Sequence, residues 1–143
     1  MTYQEKGTKQ LSRETLEALY YVAHANYKQG KYEDAAGIFR YLTVEDTRTR
    51  KHWMGLGSSL QMLKQYQKAI EAYEIAAAID PGDPRVHMHA ADCLFGLGNV
   101  KDALFALDCA VRALKLGEKD EANKNLLAHI ALIRKAWDNQ NKS

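Results

Sequence analysis

Alanine recurs at positions 35, 69 and 103. This equal spacing, a period of about 34 residues, constrains the fold of the chain more than any other feature. Two further series keep the same interval: Phe39, Tyr73 and Leu107, and Ala23, Gly57 and Ala91. The segments leading into each alanine repeat as well, as Gly30-Lys31-Tyr32-Glu33-Asp34-Ala35, Lys64-Gln65-Tyr66-Gln67-Lys68-Ala69 and Gly98-Asn99-Val100-Lys101-Asp102-Ala103. Small residues at fixed points beside bulky ones are what two helices need where they cross closely. A lone helix pair leaves its apolar face uncovered, so the copies are expected to stack.

The middle copy is the most complete. Residues 50–81 hold Trp53, Leu56, Gly57, Leu60, Ala69, Tyr73, Ala76 and Pro81, a set that resembles the tetratricopeptide repeat, a helix-turn-helix unit. Gly57 and Ala69 are small where the two helices meet, while Trp53, Leu60 and Tyr73 fill the surrounding wedge. The fold expected is all-α: three tandem repeats over residues 16–49, 50–83 and 84–117, forming a right-handed superhelix, with a capping helix over 119–137. With 143 residues, one domain over 11–138 accounts for nearly the whole chain. Residues 1–10 read as a disordered lead-in and 139–143 as a frayed tail.

Local signals place the helices. Ser12 can cap a first helix that carries Leu16, Leu19, Tyr20, Ala23 and Tyr27 at helical spacing and stops at Gly30. Helices are then predicted over 32–44, 48–63 and 66–79. The run Asp80-Pro81-Gly82-Asp83-Pro84 breaks the chain, with Asp83 as cap and Pro84 in the first helical position of the next helix, 84–97. Another helix follows over 100–116. In the last helix Ala122, Leu126, Ile130, Ile133 and Trp137 make one apolar stripe, as a cap for the third repeat requires.

Composition removes several function classes. No apolar run is long enough to span a bilayer, which argues against stable membrane insertion, and residues 1–10 lack the apolar core of a secretory signal, so a cytosolic location is expected. Cys93 and Cys109 have no metal-ligand spacing and read as free thiols of a reducing compartment. Twenty basic against 18 acidic residues is too even a balance to argue for nucleic acid. The run Arg48-Thr49-Arg50-Lys51-His52 comes without interleaved aromatics and reads as a solvated face. No acid, base, nucleophile or metal groups converge, so neither an enzyme nor a cofactor is expected. His89 and Cys93 lie one helical turn apart beside Asp92, but no third ligand follows at a usable spacing, and a hydrogen-bonded histidine is the simpler reading.

The first helices of stacked repeats line the inner face of the superhelix, and their phase selects the side chains that point there. These are Glu17, Tyr20, His24, Tyr27 and Lys28; Lys51, Met54, Ser58, Gln61 and Met62; and Arg85, Met88, Asp92 and Phe95. The expectation is a trough of aromatics and methionines edged with charge. Tyrosine offers contact area at small entropic cost and methionine repacks around varied shapes, which suits an extended apolar peptide. Packing between repeats is the competing role for any one of them.

Residues 16–20 (Leu16-Glu17-Ala18-Leu19-Tyr20), residues 27–35 from Tyr27 to Ala35, Phe39, and His89-Ala90-Ala91-Asp92-Cys93-Leu94 together resemble the class II chaperones of bacterial type III secretion systems. The resemblance covers residues 11–116. It implies a bacterial cytosolic protein that grips a short proline- and leucine-containing segment of a hydrophobic translocator and keeps the translocator soluble until export; some relatives serve effectors instead. By the same resemblance Tyr20, Tyr27 and Tyr32 line pockets for that segment, with Met54, Met88 and Phe95 continuing the groove. An additional N-terminal helix contributes to homodimers in that family. Here ten polar residues precede Leu11, so that helix is expected to be absent, leaving open a monomer, a truncated chain or pairing through another face. The alternative reading is a general adaptor for protein assembly. Its carboxylate-clamp version would want lysine and asparagine where Tyr20 and His24 stand.

Overall fold

In the computed structural model, which describes residues 11–142, helices pair in the order the periodicity predicts. The first repeat is α1 (Arg13–Lys28) and α2 (Tyr32–Glu45), the second α3 (Arg50–Met62) and α4 (Tyr66–Ile79), and the third α5 (Pro84–Gly96) and α6 (Val100–Leu116); α7 (Glu121–Lys142) follows. Each helix packs on the next, and α3 also touches α1 and α5, so the three first helices form one layer.

Sequence-encoded punctuation explains the boundaries. The Ser12 hydroxyl accepts the Thr15 N–H at 3.1 Å, and the Asp83 carboxylate accepts the Arg85 N–H at 2.9 Å with Pro84 in the first turn. Inside each repeat the first helix closes through the same turn. The N–H groups of Lys31, Gln65 and Asn99 reach back to the carbonyls of Asn26, Leu60 and Leu94, each at 2.9 Å. That bond requires a left-handed residue just before the donor. Gly30 (φ 81°) and Gly98 (φ 82°) meet the need without strain, whereas Lys64 adopts it (φ 61°) with a side chain attached.

The repeated small residues lie where the helices cross. Ala35, Ala69 and Ala103 are fully buried, and Phe39, Tyr73 and Leu107 fill the space beside them. A Cβ on Gly57 would come within 2.7 Å of the Tyr73 ring, so the glycine is a condition of that close approach. Trp53 stands at the edge of this core, its indole N–H donating to the Thr47 carbonyl at 2.7 Å. One apolar cluster runs through the first two repeats into α5, and a second joins the third repeat to α7 through Leu107, Leu114, Ile130, Ile133 and Trp137.

Two expectations need correction. The last helix starts at Glu121, where the Asp120 carboxylate accepts the Asn123 N–H at 2.9 Å, and it continues through the segment expected to fray, as far as Lys142. Asp138-Asn139-Gln140-Asn141-Lys142 contains neither glycine nor proline to stop it. The basic run before and in α3 is not simply solvated either. Arg50 pairs with Asp83 at 2.9 Å, Lys51 pairs with Glu17 at 2.8 Å, and His52 is buried. The lead-in, residues 1–10, lies outside the described residues.

Candidate functional site

A cavity of about 320 Å³ opens along the layer of first helices. From α1 come Tyr20, His24 and Tyr27; from α3 and its start Arg50, Lys51, Met54, Gly55 and Ser58; from α5 and its cap Asp83, Arg85 and His89. Phe39 of α2 reaches the floor between them. A spacing of three or four residues puts Tyr20, His24 and Tyr27 on one stripe of α1, and the same phase brings Met54 and Ser58 into line on α3.

Aromatic contacts hold the first-repeat wall in place. Tyr20 meets Phe39 edge-on with ring centroids 5.8 Å apart, and His24 stacks on Tyr20 at 5.9 Å. The Lys51 ammonium sits 4.2 Å from the centre of the Tyr20 ring while pairing with Glu17. That hydrogen bond from Lys51 holds the Glu17 carboxyl below the usual carboxylate range. Tyr27 meets the ring of Tyr32 edge-on at 5.3 Å, so Tyr32 supports the wall from the start of α2. Burial pushes the Tyr27 hydroxyl's pKa upward, which keeps it neutral. Gly55 is required here: a Cβ at this position would collide with the Phe39 ring.

Polar groups gather at the α5 end. Burial alone would raise the Asp83 carboxyl, but the Arg85 N–H, the Arg85 guanidinium and Arg50 together hold it below its ordinary value. His89 stacks on Tyr73 with centroids 5.3 Å apart, and burial lowers its pKa. Behind Tyr20, His52 is 2 % exposed, and its Nδ1 has no hydrogen-bond partner. Burial lowers its pKa against the opposing pull of Asp46, whose carboxylate lies 3.8 Å away.

The predicted trough is not uniform along its length. Tyr20, His24, Tyr27, Met54 and Ser58 converge on the cavity. Gln61 instead accepts the hydroxyl proton of buried Tyr73 at 2.7 Å, and Met62 is exposed. Met88 packs into the second core cluster, and Asp92 lies one turn beyond His89 on the same stripe of α5, past the residues that line the cavity. Phe95 is stacked flat on Trp137 of α7, with ring centroids 4.4 Å apart and planes 8° apart.

Phe39, Arg50, Gly55, Asp83 and His89 join the lining without having been singled out for it. The glycine carried a signal, because a mid-helix glycine costs stability and calls for a packing reason. Arg50 and Asp83 meet across a whole repeat, and neither one's neighbours in sequence announce that pairing. In the His89 and Cys93 pair, His89 stacks on Tyr73 and burial pushes the Cys93 thiol up to about 12. Among the described residues no helix is long and apolar enough to cross a membrane.

Residues 23–84 and 60–130 match the tetratricopeptide repeat family. The low calcium response locus protein H of Yersinia pestis is 40% identical over 94 residues, which take in 66% of this chain and 56% of that protein. The chain therefore matches little more than half the length of that curated relative. Among solved structures, the type III secretion translocator chaperone SycD of Yersinia enterocolitica, described as an alternative dimer, superposes with a TM-score of 0.85 at 32% identity, covering 94% of this chain and 100% of that one. PcrH in complex with the chaperone binding region of PopD gives a TM-score of 0.85 at 30% identity, covering 94% and 98%; PcrH comes from Pseudomonas aeruginosa.

Proposed function

This chain belongs to the tetratricopeptide-repeat chaperones of type III secretion translocators, and from that premise we propose that it binds an extended apolar segment of a hydrophobic translocator in the cavity between α1, α3 and α5. The observation that carries this reading is the convergence of Tyr20, Tyr27, Phe39 and Met54 from three helices on one open cavity. An apolar guest side chain seated there leaves water for aromatic faces. The chain acts by occupancy and catalyses nothing. Masking the segment in the bacterial cytosol keeps the translocator, or an effector of similar character, soluble until export.

Co-expression tests it. The wild-type chain should co-purify with a hydrophobic translocator that is insoluble when expressed alone. Tyr20→Ala combined with Tyr27→Ala should abolish recovery while far-ultraviolet circular dichroism keeps its helical signature. Recovery equal to wild type would remove the cavity from the mechanism.

The lining's cations, Arg50, Lys51 and Arg85, favour one second reading, an adaptor for acidic chain ends. Micromolar binding of acidic C-terminal peptides that fades with salt, without translocator recovery, would select it.

A further inference from the structure

We infer that the cavity selects a guest segment bearing a carboxylate beside its apolar anchor, and that Arg85 is the side chain that reads it; this rests on the binding role proposed above. The wall of the cavity carries three cationic side chains, Arg50, Lys51 and Arg85, against a single carboxylate, Asp83. That carboxylate is already committed. Asp83 is 7 % exposed, caps α5 through the Arg85 N–H, and takes Arg50 Nη1 at 2.9 Å and Arg85 Nε at 3.2 Å.

The three cations differ in what remains to them. Lys51 is held by Glu17 and lies over Tyr20, and the Arg50 side chain, 28% exposed, divides itself between Asp83 and Asp80. The Arg85 side chain is 65% exposed, and its contacts with Asp83 use Nε and one longer approach from Nη2 at 3.5 Å. A guanidinium has five N–H donors in a planar fork, so most of those on Arg85 face outward with capacity left over. A carboxylate placed there meets the open part of the Arg85 fork, in a cavity that Tyr20, Tyr27 and Phe39 also line. A guest lysine there would meet the Arg85 guanidinium as repulsion.

Fluorescence anisotropy with the full chain tests this. The probes are amidated, fluorescein-labelled peptides with a central leucine, identical except for glutamate, glutamine or lysine at each of the three positions on either side. A further glutamine peptide ends in a free carboxylate. At one register glutamate should bind about fivefold tighter than glutamine at low salt, with lysine weakest. The gain should shrink at high salt and vanish in Arg85→Gln, where glutamate and glutamine peptides, each read against that variant's own affinity for the amidated glutamine peptide, should bind alike. A gain confined to the free carboxylate supports the same chemistry and names the chain end as its source. Equal binding of every glutamate, glutamine and free-carboxylate peptide would overturn the selectivity while leaving apolar binding intact. A glutamate preference that survives Arg85→Gln would overturn the assignment to Arg85. Failure of every peptide to bind would overturn both the selectivity and the binding role.

Discussion

Tyr20 in the first repeat and Phe95 in the third occupy first-helix positions that the helical period directs to the same inner face, yet they meet different neighbours. Tyr20 borders an open cavity, flanked by His24, Phe39 and Lys51. Phe95 has its ring face covered by Trp137. Helical phase decides which way a side chain points; whether it remains available is decided by what packs at the end of the stack. The third repeat needs a cap for its exposed face, and α7, in supplying one, also takes up the aromatic that would have extended the trough. The two halves of the inner layer thus differ: one is open and the other is packed into the fold.

Substitutions in the two halves should differ most in their effect on guest binding. An aromatic anchor contributes about 2 kcal/mol or more, so Tyr20→Ala with Tyr27→Ala should weaken binding of a translocator segment by about 4 kcal/mol, roughly a thousandfold. Phe95→Ala should change it by less than about threefold. Titration calorimetry on the three proteins decides this. The reverse asymmetry belongs to stability: Trp137→Ala, at a half-buried site, should cost about 2 kcal/mol in urea denaturation and speed amide exchange in α7, with guest affinity kept.

The repeat register was legible because close helix crossings accept little besides alanine and glycine, so Ala35, Ala69 and Ala103 announce the period themselves. Tyr20, Tyr27 and Met54 were legible for a similar reason, since helical phase alone puts them on one face. The stacking of Phe95 on Trp137 was not legible, because that partner belongs to another helix whose crossing angle no local pattern records. Tyr32, which the family resemblance put on a pocket wall, meets Tyr27 edge-on from the start of α2 and is not among the residues that line the cavity. The pairing of Arg50 with Asp83 depends on how repeats stack, and the same dependence hid the polar end of the cavity.

A smaller effect concerns pH. His52 supports the Tyr20 ring at 5.9 Å, and its pKa in the folded chain lies below the ordinary 6.5, chiefly through burial, with Lys51 adding to the shift and Asp46 and Glu17 opposing it. The unfolded chain therefore binds more protons as pH falls below about 6.5, so stability held above that value is lost on acidification. His89, also lowered by burial, contributes with the same sign from α5. Thermal melts between pH 8 and pH 5 should show the loss, and His52→Gln should flatten the part that belongs to the open half.

The smallest expected effect is a control that touches neither half. Lys64→Gly relieves the left-handed turn in the second repeat and should stabilise the chain by about 0.5 kcal/mol, with guest affinity unchanged. Urea midpoints for this pair of proteins would measure it.

The proposed guest site lies against the first two repeats and not under α7. A photo-crosslinking amino acid placed singly at positions 27, 54, 95 and 137, in chain co-expressed with a translocator, measures this directly. Positions 27 and 54 should form covalent adducts with the translocator, and positions 95 and 137 should not. Adducts confined to 95 and 137 would put the guest under α7 and rule out the open cavity as its site.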